Sequence, residues 1–175
     1  MIEDWFFLFF GVYSFFSGMD VDFQIDSIRV FPIEVPYVEP LSISVGSIDG
    51  ARNIVLEFSC EDFLGYGEFS PFIKAYSGES QESGLRFFKE LCPLLAGRRD
   101  SLDGFIDLVE GFHSCGDYCA RSAIVNGLYD LAARIKDVPL YEMLGGKARD
   151  EIPVMYAVDW MSGYEKAEYW SERGV

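Results

Sequence analysis

Residues 120–156 read ARSAIVNGLYDLAARIKDVPLYEMLGGKARDEIPVMY, and this stretch decides how the rest of the chain is interpreted. Apolar residues recur there at spacings of four, three and four, which predicts one buried stripe of an amphipathic helix. The residues of this stripe are Ile124, Leu128, Leu131 and Ile135. We expect the helix to end at Asp137 and Pro139, because proline cannot continue it.

A second, shorter helix is expected directly after the first. Leu140, Met143 and Leu144 would share its apolar side, and the pair Gly145-Gly146 would form its C-cap. After a charged turn, residues 152–158 are apolar and rich in β-formers. Such a run predicts a strand buried on both faces, so a helical layer is expected to lead here into a parallel α/β unit.

The same stretch resembles the end of the N-terminal capping domain in the mandelate racemase/muconate lactonizing family of the enolase superfamily. The family pattern is A-I-x-x-A-L-W-D-L-x-A-K-x-x-x-x-P-L-Y-x-L-L-G-G-K-x-R-D-x-I-P-V-Y. This chain follows it with small departures at Gly127, Tyr129 and Arg134, and it carries an additional Met155.

The first part of the chain predicts an antiparallel meander of three strands. Phe23–Val35 is expected to be the first strand, with Pro32 at an edge position, and Pro36–Ala51 is expected to be a loop with a turn. Asn53–Cys60 alternates apolar and polar residues as a half-buried strand does. After a tight reversal at residues 61–63, Leu64–Ser70 would return as the third strand.

The run Gly65–Pro71, GYGEFSP, is similar to the motif G-x-G-E-x-x-P that closes the sheet of the family's capping domain. A loop is expected over Pro71–Gly78, then a helix over Glu79–Leu91 that Pro93 and Gly97 break, then a helix from Asp100 or Ser101 to Phe112. The predicted fold class is therefore α+β. It comprises a three-stranded antiparallel meander, a helical bundle and the first βα unit of a truncated TIM barrel.

Three segments are predicted along the chain. Residues 1–18 are aromatic and apolar but too short to span a membrane, so we expect an over-extended start with true translation from Met19. A hydrophobic signal or membrane leader is the alternative, and N-terminal mass spectrometry distinguishes the two. Residues 19–150 would form the capping domain, and residues 151–175 the first βα unit of an incomplete barrel.

Composition restricts the partners of this chain. Fourteen basic against twenty-nine acidic residues give a net charge of −15, which argues against nucleic acid and anionic membranes as partners. There are four cysteines and one histidine, so neither a zinc site nor a disulfide framework is indicated. We expect reduced, packing cysteines in a cytoplasmic protein.

The resemblance implies chemistry that lies on the barrel. In the family, a Lys-x-Lys motif ends the second barrel strand, acidic residues ending later strands bind Mg²⁺, and a base removes the proton α to a carboxylate. Those positions are not part of these 175 residues. We therefore expect no catalytic residue, no metal ligand and no cofactor bound by this chain, although Mg²⁺ is implied for the full-length family.

What the resemblance implies for this chain is contact with substrate. Two capping-domain segments of the family close over the barrel mouth, and by order they match Pro36–Gly46 and Pro71–Gly78. Within the second segment, Lys74 would contact a ligand by charge and Tyr76 by stacking. Asp159 and Trp160, just after the first barrel strand, would face the barrel mouth. The alternative is that all four are ordinary loop residues. The four candidate substrate-binding residues are Lys74, Tyr76, Asp159 and Trp160.

The function implied is that of a substrate-specificity cap of a Mg²⁺-dependent isomerase. The run YSGES, residues 76–80, is similar to dipeptide epimerases, so epimerisation of an Ala-Glu type dipeptide is preferred. Muconate-type cycloisomerase, o-succinylbenzoate synthase and a non-catalytic capping or binding remnant stay open. The implied partner is a small carboxylate such as a dipeptide, and association with further copies of the chain also stays open.

Overall fold

A computed structural model describes residues 21–43, 46–72, 74–112, 117–153 and 163–174. The strands are β1 (Asp22–Gln24), β2 (Ser27–Ile43), β3 (Gly46–Cys60), β4 (Phe63–Phe69) and β5 (Arg99–Ser101). The helices are α1 (Lys74–Ser77), α2 (Gln81–Leu95), α3 (Leu102–Gly111), α4 (Tyr118–Ile135), α5 (Leu140–Met143) and α6 (Gly163–Ser171).

The predicted meander is confirmed. Strands β2, β3 and β4 form an antiparallel sheet in that order, with β3 in the centre. One face of β3 carries Ile54, Leu56 and Phe58, all fully buried, because alternate residues of a strand point to the same side. Helices α2 and α4 pack on that face and α3 packs against α4, so that the three helices complete one core and the α+β class is also confirmed.

The expected loop over Pro36–Ala51 is wrong. Strands β2 and β3 continue pairing through Pro36 and Gly50, shift register once, and still pair between Ile43 and Gly46. We call residues 33–53 the ribbon. Its prolines lie on β2, an edge strand, where a missing N–H donor does not interrupt the sheet. The proline and serine content of this segment therefore indicated a loop where the structure has paired strands.

The expected first strand, Phe23–Val35, is two strands. Strand β1 pairs with β5, so Phe23 lies opposite Asp100 in a separate two-stranded sheet. Strand β2 then begins at Ser27. Three-residue strands such as β1 and β5 have no readable periodicity, which explains why the small sheet was missed.

The reversal between β3 and β4 is shorter than expected. Only Glu61 and Asp62 form the turn, and Phe63 already pairs with Cys60. Glu61 has a φ of +51°, a conformation that glycine or asparagine adopts at lower cost. The expectation that Phe63 takes part in the turn is therefore wrong.

The helix expected over Glu79–Leu91 begins at Gln81 and runs through Pro93 to Leu95. Pro93 was expected to break it, and this is wrong because only two residues follow the proline and few hydrogen bonds are lost there. The segment 71–78 also contains the one-turn helix α1 rather than a loop throughout. Ser101 caps α3 as predicted, since its Oγ accepts a hydrogen bond from the Gly104 amide at 3.0 Å.

The opening stretch folds largely as its sequence predicts. Ile124, Leu128 and Leu131 of α4 are fully buried, and the helix ends at Ile135. The C-cap of α5 is a Schellman motif: the Gly146 amide donates to the Tyr141 carbonyl at 2.8 Å, and the Gly145 amide to the Glu142 carbonyl at 3.2 Å. Both glycines have positive φ. On α5, Met143 is buried, whereas Leu140 and Leu144 stay 38% and 53% exposed.

The expected strand over residues 152–158 falls mostly outside the described residues. Its first two residues, 152 and 153, are irregular, and Ile152 is 78% exposed where a doubly buried strand was expected. Helix α6 lies further along the segment that was predicted to be a βα unit. Among the helices that the structure describes, none is both long and apolar enough to cross a membrane.

Candidate functional site

The candidate residues are placed unequally. Lys74 is the first residue of α1, and its side chain is exposed. Tyr76 lies two residues later in the same helix, where only its backbone is described. Asp159 and Trp160 lie outside the described residues. The structure therefore brings Lys74 and Tyr76 onto one helical turn and does not place the other two.

The segment 71–80 is closed by its own hydrogen bonds. The Ser77 hydroxyl donates to the Pro71 carbonyl at 2.9 Å, and the Glu79 amide donates to the same hydroxyl at 3.1 Å. The Gly78 amide donates to the Lys74 carbonyl at 2.8 Å, with Gly78 at a φ of +74°. These bonds hold α1 as a compact turn that presents Lys74 to solvent.

Glu79 ties this segment to the long helix α4. Its residue is only 2% exposed, and its carboxylate accepts hydrogen bonds from the amides of Cys119, at 2.8 Å, and Ala120, at 3.2 Å. Burial, followed by the hydrogen bond and the charge of Glu79, raises the pKa of the Cys119 thiol to about 11. The carboxylate therefore lies against the first turn of α4.

Gln81 ties the same segment to the base of the ribbon. Its side-chain amide donates to the carbonyls of Ile33, at 3.1 Å, and Asn53, at 2.9 Å. Ile33 and Asn53 face each other across β2 and β3. The segment 71–80 and the base of the ribbon are thus held by two residues close together in sequence, Glu79 just before α2 and Gln81 at its first position.

The ribbon also meets α6. The Lys166 ammonium lies 3.0 Å from the Glu39 carboxylate, although Glu39 is mostly exposed. Val38, beside it, is fully exposed. Helix α6 belongs to the segment that was expected to begin a barrel. The ribbon therefore reaches toward this C-terminal segment.

The GYGE motif serves packing. Added methyl groups at Gly65 and Gly67 would overlap Leu131 and the Ala123 carbonyl oxygen, so both glycines let β4 lie directly against α4. The Tyr66 amide between them donates to the Asp130 carboxylate of α4 at 2.9 Å. The motif therefore fixes the helix against the sheet.

Metal chemistry is not supported by the residues in view. Within the part of the chain that the structure describes, no group of three or more His, Cys, Asp or Glu side chains is arranged to hold a metal ion. A Mg²⁺ ion needs several oxygen ligands in octahedral geometry. The described residues do not fit Mg²⁺, and we derive no step through it.

Comparison with known proteins decides the family. The family profile described as "Mandelate racemase / muconate lactonizing enzyme, N-terminal domain" matches residues 26–145, well over half of the chain. This chain belongs to the mandelate racemase/muconate lactonizing enzyme family. The matched range contains the meander, helices α1 to α5 and the ribbon.

Relatives within the family act on different substrates. D-Ala-D/L-Ala epimerase of Cytophaga hutchinsonii is 31% identical over 140 residues, covering 77% of this chain and 36% of that protein. Muconate cycloisomerase 1-2 of Acinetobacter lwoffii is 30% identical over 139 residues, with the same coverage of 77% and 36%. This chain thus spans little more than a third of these relatives.

A solved structure shows the same fold. The dipeptide epimerase from Cytophaga hutchinsonii, complexed with Mg and the dipeptide D-Ala-L-Val, superimposes with a TM-score of 0.73 and 30% sequence identity. The match covers 83% of this chain and 40% of that one. The enolase-type capping fold expected from the sequence is confirmed.

Sequence reasoning missed Glu79 and Gln81 as anchors. Both were placed at the start of a helix, as ordinary polar residues. A local signal was present, because Ser80 and Ser83 form a capping box that leaves Glu79 outside α2. The partners of Glu79 on α4 are 40 residues away, and no local pattern shows them.

Proposed function

We propose that this chain is the substrate-specificity cap of a Mg²⁺-dependent enolase-superfamily isomerase. The parent reaction removes a proton α to a carboxylate, and our preferred reaction is epimerisation of an Ala-Glu type dipeptide. Residues 19–150 would be the cap and residues 151–175 the start of the barrel. On their own, these 175 residues would be inactive, since the proposed catalysis needs barrel groups.

One observation carries the proposal: adjacent residues hold the base of the ribbon and the segment 71–80. Gln81 holds the ribbon base, and Glu79 holds the segment 71–80 on α4. Specificity needs contact groups held on rigid elements, because a displacement of about 1 Å weakens orientation and binding. The base of the ribbon and the segment 71–80 meet that requirement.

Charge supports an acidic dipeptide. Lys74 is exposed at the start of α1, where its ammonium can pair with a side-chain carboxylate of the ligand. Tyr76, Asp159 and Trp160 remain proposed substrate contacts as well. The proton transfer itself would belong to barrel groups outside these residues, and this chain would orient the substrate and exclude water.

The first experiment tests activity of the chain alone. We expect purified chain with Mg²⁺ and L-Ala-L-Glu in D₂O to leave the α-proton signals of the dipeptide unchanged in ¹H NMR. The Cytophaga hutchinsonii epimerase with D-Ala-L-Ala is the positive control. Loss of the α-proton signal with this chain alone would overturn the proposed dependence on a barrel.

The second experiment tests the specificity role. A chimera joins residues 21–153 of this chain to the part of the Cytophaga hutchinsonii epimerase that follows its own cap. We expect kcat/KM to shift toward L-Ala-L-Glu, and Lys74→Ala to reduce that preference about tenfold, the usual range for one charged contact. Lys89→Ala, at an exposed lysine on α2, is the matched control.

The same chimera separates the alternatives. A gain of activity on cis,cis-muconate without a gain on L-Ala-L-Glu would favour the cycloisomerase that Acinetobacter lwoffii represents among the relatives. A folded chimera with the unchanged preference of the parent epimerase would favour a capping module without a specificity role. Circular dichroism and a cooperative melt establish that the chimera is folded.

A further inference from the structure

We infer that Glu79 is a positioning residue that fixes the proposed substrate segment 71–80 on the N-terminus of α4. This deepens the proposed function and rests on it for the substrate role of Lys74. The carboxylate joins two elements that are far apart in sequence, since its partners are the amides of Cys119 and Ala120.

Helix α4 has no capping hydrogen bond from the side chain of its own N-cap residue. Its N-cap residue, Asp117, has a φ of −97° and a ψ of 47° and makes no side-chain capping bond. An N-cap side chain normally accepts from the second or third amide of the helix. In α4 these amides belong to Cys119 and Ala120, and Glu79 accepts from both.

Two further properties suit a carboxylate at this place. The N-terminus of a helix carries partial positive charge, which favours an anion there. At 2% exposure, Glu79 has lost its water shell, and the two amides together with the Cys119 thiol take the place of water around its carboxylate. Rotation of the side chain away from α4 would leave a buried, uncompensated charge, and the segment is therefore held in one position.

A short series of hydrogen bonds links Glu79 to Lys74. The Glu79 backbone amide donates to the Ser77 hydroxyl, and that hydroxyl donates to the Pro71 carbonyl. The Gly78 amide donates to the Lys74 carbonyl. No residue of this path is more than five positions from Lys74. Once Glu79 is released from α4, the path has lost its anchor on the core, and α1 is expected to open locally.

Hydrogen exchange tests this inference on the full chain. In Glu79→Gln, we expect amide protection at Gly78, Glu79, Cys119 and Ala120 to fall about tenfold or more, without dependence on low denaturant, as local opening requires. Glu57→Gln is the matched control, since Glu57, in the sheet, is the other buried glutamate among the residues that the structure describes. In that variant the four amides should change only as much as global stability changes.

A second readout follows the thiol beside Glu79. The alkylation of Cys119, measured by peptide mass spectrometry against pH, should have its midpoint near pH 11 in the wild type. In Glu79→Gln the midpoint should fall but stay above 9.0, because burial of the thiol persists. If Glu79→Gln fails to fold, Glu79→Asp, too short to reach both amides, is measured in the same way.

The outcomes are distinct. Unchanged protection at Gly78 and Glu79 in a folded Glu79→Gln or Glu79→Asp variant overturns the inference, whatever the activity data show. If neither variant folds, wild-type exchange decides, because a fixed segment must open together with the first turn of α4. Local opening without any change in chimera specificity would retain the positioning role and reject the substrate role of the segment.

Discussion

Two regions of the same sheet are packed very differently. One is the contact between β4 and α4, and the other is the ribbon. In the glycine seam, made by Gly65 and Gly67 of β4 and Gly127 of α4, added methyl groups would overlap Leu131, the Ala123 carbonyl and the Phe58 ring. The ribbon extends from β2 and β3 of the same sheet, and Val38 on it is fully exposed. The glycine seam has no space for an added methyl group, whereas the exposed part of the ribbon has few neighbouring residues.

The difference shows where sequence is constrained. Close-packed interiors respond to a single methyl group, whereas a solvated hairpin tolerates most side chains. The glycine seam fixes the position of α4, the helix that Glu79 caps. It therefore also fixes the site to which the segment 71–80 is attached. The ribbon can then vary in sequence with little effect on the stability of the fold, which suits a surface that selects substrates.

The largest expected effect comes from Gly67→Ala. Its methyl group would overlap the Ala123 carbonyl oxygen, a backbone atom that cannot move without shifting α4. We expect the free energy of unfolding to fall by about 3 kcal/mol. Urea denaturation followed by circular dichroism measures the change.

Gly111→Ala is the matched control for the seam. Gly111 ends α3 with no atom within 4 Å of an added methyl group, so alanine should be neutral or stabilise by about 0.5 kcal/mol. Equal stabilities of the two variants would show that the seam is not close-packed in solution.

A medium effect is expected on the outer face of the sheet. Glu57 is 8% exposed, and its carboxylate accepts hydrogen bonds from Arg29 Nε at 2.6 Å and from the Tyr66 hydroxyl at 3.2 Å. Arg29→Met leaves this carboxylate without its cation. Because the Arg29 side chain is 60% exposed, we expect a loss of about 1–2 kcal/mol rather than the full cost of a buried pair.

The ribbon supplies the comparison for that variant. Arg52 lies 3.8 Å from Glu34, and both side chains are well exposed. Arg52→Met should therefore change the free energy of unfolding by less than about 0.5 kcal/mol. A loss as large as that of Arg29→Met would mean that the ribbon is held as firmly as the sheet.

The smallest effect is expected where the ribbon meets α6. A double-mutant cycle of Glu39→Gln and Lys166→Met should give a coupling energy of about 0.3–0.5 kcal/mol at low salt, and less in 1 M NaCl. Thermal melts of the four proteins measure it. A coupling that high salt leaves intact would indicate a contact other than the ion pair.

The sequence predicted much of the fold where residues repeat with a clear period. The α4 stripe, the alternation of β3 and the Gly145-Gly146 cap were all readable, because each depends on neighbours within one turn or one strand. The ribbon was misread, since an edge strand tolerates the prolines that usually indicate a loop. The candidate site was predicted only as two segments and four residues, of which Lys74 and Tyr76 are placed on one turn.

By itself, the sequence determined the family, the α+β class and the position of the long helix, because these follow from local periodicity and short motifs. Only the tertiary structure decided that Glu79 caps α4, that Gln81 holds the ribbon base, and that the GYGE glycines form a packing seam. Each of these joins residues tens of positions apart. Their energies come from burial and from hydrogen bonds between elements, and the order of residues along the chain does not show such contacts.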